Sequence, residues 1–175
     1  MAKGVYNDNC EKIYNIICRS EDVMKYLFYK DNVDIEAKEK LTSSQKRQVR
    51  ENQIFDYEVV TSKSENAECY ISMDFETVDC SDKSRYSRTA KTATQREWGT
   101  CLFNVYVTCS KNILETKNGN RARALVYIIQ KELSGKDIDG FGTCELIGIK
   151  KERAVEGYQS YILVFQFVNR LNDYE

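Results

Sequence analysis

Two stretches of the chain alternate apolar and polar residues with a period of two, and that pattern constrains the fold more than any other feature. In AECYISMDFET, residues 67–77, the positions Ala67, Cys69, Ile71, Met73 and Phe75 are apolar. Glu68, Ser72, Asp74 and Glu76 between them are polar, with Tyr70 among them. TCLFNVYVTCS, residues 100–110, repeats the pattern through Cys101, Phe103, Val105, Val107 and Cys109. Successive side chains of a strand point to opposite faces, so each stretch predicts a strand with one face against a core. One-sided burial is the habit of antiparallel sheets, whose other face can remain wet.

The remaining elements supply the cover such a sheet needs. Residues 8–29 place Ile13, Ile16, Ile17, Val23, Met24, Leu27 and Phe28 near helical spacing. Asn7 or Asp8 can cap the start, and Ser20 marks a break or a second start. Thr42 and Gln45 have capping-box spacing, which predicts a short helix through about Glu51, on the surface because its apolar face is weak. IFDYEVV, residues 54–60, reads as a strand. NGNRARALVYIIQKELSG predicts a helix over 119–134, capped by Asn118 or Asn120 and stopped at Gly135. Its stripe is Ala122, Leu125, Ile129 and Leu133, widened by Ala124, Val126 and Ile128. CELIGIKK and YQSYILVFQFVN are two more strands, joined by a hairpin connection ending at Gly157. The last strand is apolar on both faces, which predicts a central place in the sheet or packing against a second surface. The expected fold is therefore α+β: a mostly antiparallel sheet with one long helix packed on a face, N-terminal helices and a long inter-strand loop. By length, residues 1–175 make a single domain, with a helical part over 1–53 and a β-β-α-β-β core over 54–175.

Composition narrows the chemistry. The 175 residues include no histidine, which removes Ser-His-Asp and Cys-His nucleophilic catalysis and any histidine-containing zinc site. Proline is also absent, so stiff polyproline linkers are excluded. Seven cysteines, Cys10, Cys18, Cys69, Cys80, Cys101, Cys109 and Cys144, include no CxxC and read as reduced core residues. No apolar run reaches the length of a membrane span, and the start lacks the apolar core of a signal peptide. No cofactor is expected. A net charge of −1 gives no global attraction to nucleic acid, so any electrostatic role is local.

One local concentration is SDKSRYSRTAKTATQREW, residues 81–98. It sets Lys83, Arg85, Arg88, Lys91 and Arg96 against Asp82 and Glu97, and ends in Trp98. Compact domains seldom carry a structureless loop of this length without a use for it. The segment is read as an arm that docks on a neighbouring subunit, as a phosphate contact without sequence readout, or as a solvated loop. The best catalytic lead is Asp74 and Glu76, whose i, i+2 spacing puts both carboxylates on one strand face. DFET resembles the first motif of the DEDD family of 3′–5′ exonucleases, in which such a pair holds metal ions. That family needs two further aspartates, yet the helix at 119–134 has none, and Asp137, Asp139 and Asp173 fall in loop or terminal sequence. A solvated sheet face is the better account of the pair, since charges along a strand usually mark its wet side.

Twelve tyrosines and seven phenylalanines crowd YLFYKD, IFDYEVV, FNVYV and YQSYILVFQF, a composition favoured at interfaces. The order of these elements, with RARALVYIIQKEL between the strand pairs, resembles the tail terminators and head–tail joining proteins of tailed bacteriophages. The resemblance implies a non-enzymatic virion protein of the neck or tail. Its subunits would assemble in the host cytoplasm into a homo-oligomeric ring, commonly six-fold, between neighbouring neck, connector and tail-tube proteins. DNA would pass through the lumen with weak, nonspecific contact, and no membrane is involved. Lys83, Arg85, Arg88, Lys91, Arg96 and Trp98 would then meet an adjacent subunit or the channel. The rivals are a metal-dependent exonuclease using Asp74 and Glu76 and a non-catalytic protein-binding adaptor.

Overall fold

The computed structural model describes residues 3–56, 68–77, 98–138, 142–152 and 156–170. Three helices lead: α1 (Lys3–Arg19), α2 (Glu21–Phe28) and α3 (Ser43–Gln53). The strands β1 (Ile54–Phe55), β2 (Cys69–Thr77) and β3 (Trp98–Ser110) follow. After a 3-10 turn (Lys111–Ile113) come the small ladder of β4 (Glu115–Thr116) with β5 (Gly119–Asn120), and then α4 (Arg121–Leu133). The chain closes with β6 (Asp137–Ile138), β7 (Gly142–Glu152) and β8 (Tyr158–Arg170). The main sheet runs β1-β2-β3-β8-β7-β6, so β8 is central, the first of the two places its two-sided apolarity predicts. The fold is α+β.

Every long pairing is antiparallel, and the alternation read from the sequence fixes the register. Cys69, Ile71 and Met73 stand opposite Cys109, Val107 and Val105, and Phe103, Val105 and Val107 stand opposite Phe165, Leu163 and Tyr161. The core cluster draws its sheet residues from this face, together with Ile13, Ile17, Val23, Met24, Leu27, Val49, Ala122, Leu125, Ile129 and Leu133 of the helices. The whole helical layer covers the sheet, where the sequence reading credits α4 with that task. Phe103 and Phe167 meet edge-on in the core, with ring centroids 6.4 Å apart. Hydrophobic burial of this kind is worth about 25 cal/mol per Å² and drives the collapse of helices onto the sheet.

Local chemistry sets the helix ends. Ser20 is a second start: its hydroxyl accepts from the Val23 amide at the head of α2. The Thr42 capping box forms in full, and Asn120 caps α4 by accepting from the Arg123 amide at 3.1 Å. Gly135, with φ of 75°, takes the left-handed position that follows α4. Three expectations need correction. Helix α1 begins at Lys3, so Asn7 and Asp8 lie inside it, because capping preference yields where the backbone ladder continues. Helix α3 runs on to Gln53, whose side-chain amide finds buried acceptors there, and Val49 and Gln53 are buried while most of the helix is exposed. The strand at IFDYEVV is described only over Ile54–Phe55, with a bend at Asp56, and it pairs with β2 in parallel. Residues 57–60 lie outside the described residues.

Candidate assembly surface

The basic segment leaves and returns at one end of the sheet. β2 ends at Thr77 opposite Cys101, and β3 begins three residues earlier, at Trp98, paired with Arg170 of β8. Lys83, Arg85, Arg88, Lys91 and Arg96 lie outside the described residues. Trp98 is placed by its backbone as the first residue of β3. Alternation along β2 and β3 leaves a second sheet face behind the core. It carries Asp74, Leu102, Asn104, Tyr106, Ile162, Val164 and Gln166, all half-buried. Toward its other end Thr108 and Ser160 share a buried hydroxyl–hydroxyl hydrogen bond of 2.7 Å. The core cluster takes nothing from this face. A mix of aliphatic, tyrosine and amide side chains matches the composition of surfaces that associate without being obligate.

The opposite end of the sheet, about 27 Å away along β2 by strand rise, is held by a polar hub that the sequence reading missed. Arg121, the first residue of α4, is 0% exposed. Its Nε donates to the Ile113 carbonyl at 2.7 Å. Nη1 donates to the carbonyls of Tyr26 at 2.6 Å and of Tyr29, and Nη2 to those of Lys30 at 3.1 Å and Asp31 at 3.3 Å. These oxygens belong to the C-terminal end of α2 and the turn beyond it, where a helix presents partial negative charge. Burial is the largest influence on the guanidinium and lowers its pKa. The available signal was an arginine at the start of a helix with no acidic residue in its first turn, a place that normally favours carboxylates.

Two further amides tie this end together, and a carboxylate fastens the other end of α2. Gln53 Nε2 donates to the carbonyls of Leu27 at 3.0 Å and Cys69 at 3.1 Å, tying α3 to α2 and β2. Asn118 fixes the loop before α3: its Oδ1 accepts from the Ile35 amide at 2.7 Å, and its Nδ2 donates to Asp34 at 2.9 Å. Glu21 accepts from the Leu41 amide at 2.8 Å and pairs with Lys46 at 2.5 Å. Burial works to raise the Glu21 pKa, but the Lys46 ammonium and the Leu41 amide together hold it below the usual carboxylate value.

The carboxylates and thiols singled out in the sequence do not form one cluster among the described residues. Asp74 faces away from the core opposite Asn104, and Glu76 is paired through its backbone with Leu102. Asp137 sits on β6, four strand spacings from β2, or roughly 19 Å across the sheet. The fold therefore does not bring it to the Asp74 pair, and Asp139 and Asp173 lie outside the described residues. Among the described residues no group of three or more His, Cys, Asp or Glu side chains stands close enough to hold a metal ion. Cys18, Cys69, Cys109 and Cys144 are free and buried. Burial raises the pKa of the Cys18 and Cys109 thiols and pushes Cys144 up to about 12, the opposite of what activates a nucleophile. No described helix is long and apolar enough to cross a membrane.

Comparison with known proteins finds a family and a shared fold. The model of the family described as YomW matches residues 20–167. No curated protein matches the chain. Among solved structures, a chain of the virion of the native gene transfer agent particle superposes with a TM-score of 0.58 at 15% identity, covering 95% of this chain and 98% of that one. At that identity what is shared is the fold, and it is shared nearly end to end.

Proposed function

This chain belongs to the YomW family, and on that premise we propose that it is a structural virion protein that acts by self-association rather than by turnover. The observation that carries the proposal is the likeness, over 95% of this chain, to a chain of a gene transfer agent virion. The subunit is a single domain, 1–175. Copies close into a ring, six-fold in the tail-terminator case, in the neck or tail of a phage-like particle. The ring joins the tail tube to the portal-side connector and surrounds the DNA channel. A heterologous contact repeated by rotation closes such a ring, and each contact needs about 800 Å² per partner to be stable. The half-buried outer face of β2, β3 and β8 is suited to part of that contact. The basic segment with Lys83, Arg85, Arg88, Lys91, Arg96 and Trp98 supplies the rest, against a neighbour or the DNA.

Removing Ser84–Ala93 tests the role of the segment. The account expects a folded monomer with an unchanged thermal midpoint that no longer assembles, read by light scattering and negative-stain micrographs. Rings of normal size from the shortened chain would rule the arm out. Degradation of labelled single-stranded DNA with Mg²⁺ or Mn²⁺, abolished in Asp74→Ala, would replace the proposal with the nuclease reading.

A further inference from the structure

Cys69 opens β2 and Cys109 stands one residue before the end of β3, and the two are direct Cα partners. The hydrogen-bond phase of the ladder around them can be read from two backbone oxygens. The Ser110 amide donates to the Glu68 carbonyl at 2.6 Å, one step outward on the same register. Antiparallel pairs alternate between hydrogen-bonded and non-hydrogen-bonded, so the Cys69–Cys109 pair is of the second kind. The Cys69 carbonyl agrees: it is turned away from β3 and accepts from Gln53. In a non-hydrogen-bonded pair the Cα atoms approach to about 4.5 Å and the side chains lie closest together. A disulfide spans Cα separations of about 4.4–6.8 Å, so the backbone already meets its requirement. Both residues are 0% exposed and both thiols are free, and the Cys69 thiol is close enough to help burial raise the Cys109 pKa.

We propose that Cys69 and Cys109 are a latent cross-strand disulfide site, closed by exchange with a small-molecule disulfide when the chain passes from a reducing to an oxidising medium. One cysteine thiolate attacks a sulfur of the small disulfide, breaking its S–S bond and releasing one thiol. The second thiolate then attacks the protein sulfur of the mixed disulfide and releases the other. Two S–H bonds are lost and one S–S bond is formed; the cysteines are oxidised, and the small disulfide is reduced to two thiols. Because the pair is buried, exchange proceeds through brief openings of this end of the sheet and is slow. The product ties β2 to β3 beside Gln53 and Arg121, and it closes a loop that contains the entire basic segment. A covalent closure of that length restricts the unfolded chain and raises resistance to unfolding. The inference rests on strand register alone and holds whether or not the chain forms a ring.

The intact folded protein, beside Cys69→Ala, is incubated with oxidised glutathione at mildly alkaline pH. It is then denatured, alkylated and mapped by peptide mass spectrometry, and its thermal midpoint is measured before and after oxidation. The expected result is a Cys69–Cys109 linked peptide, lighter by two hydrogen atoms. With it the thermal midpoint rises by roughly 10 °C, a rise that dithiothreitol reverses and Cys69→Ala does not show. The proposal is overturned if Cys69 and Cys109 stay alkylatable or carry only glutathione, if either links to another cysteine, or if the linked protein melts lower than the reduced one.

Discussion

A guanidinium buried without a carboxylate is held by geometry, and Arg121 shows how. Its fork of donors meets five backbone oxygens of α2, the turn after it and the 3-10 segment, one of which, the Asp31 carbonyl, also accepts from the Val33 amide. A hydrogen bond to a charged group contributes about 1.5–3 kcal/mol, and each buried carbonyl stranded without a donor costs about 1–3 kcal/mol. Arg121→Met, which keeps much of the volume and none of the donors, is expected to lose about 4 kcal/mol in denaturant unfolding. Arg121→Lys, a compact ammonium that cannot span the same oxygens, recovers only part of that loss. A near-neutral Arg121→Met would show that the carbonyls find other partners and that the hub is dispensable.

At the scale of elements, one carboxylate joins the head of α2 to the entry of α3. Glu21 holds the Leu41 amide and the Lys46 ammonium, fastening the head of α2 to the entry of α3. Its folded pKa lies below its unfolded value of 4.5. The stabilisation is therefore present above that value and lost as pH falls through the lower, folded one. Glu21→Gln should cost about 1 kcal/mol near neutral pH, and the gap from the native protein should close in strongly acid solution. A gap that stays constant down to acid pH would mean that the charge does no such work.

The elements legible in the sequence were those written in local patterns. The alternation at 67–77 and 100–110 gives β2 and β3 their faces, and Ser20, the Thr42 box, Asn120 and Gly135 mark helix ends by side-chain and backbone chemistry close in the chain. The illegible parts depend on partners distant in sequence. The parallel docking of Ile54–Phe55 on β2 and the short β6 carry no period of their own. Arg121 carried no local signal of its burial because its five acceptors come from two other segments. Cys69 and Cys109 were each visible as apolar-face thiols, but their pairing needed the register across the basic segment. Of the candidate site, Trp98 is placed by β3, while the five cations of 81–97 are known from sequence alone.

At the scale of the molecule, the two ends of the sheet have different characters. One is bolted to the helical layer by Arg121, Gln53 and Asn118, while the other gives rise to the basic segment. On the proposed function, the tied end is the fixed body and the basic segment is the part offered to a neighbour. The central claim is that this protein works as one copy of a closed ring. Sedimentation velocity of the purified chain over a wide concentration range tests it most directly. The account predicts a single closed species whose mass is a fixed whole-number multiple of the monomer and whose size stops growing as concentration rises. A monomer at every concentration, or a polymer that lengthens without limit, would contradict it.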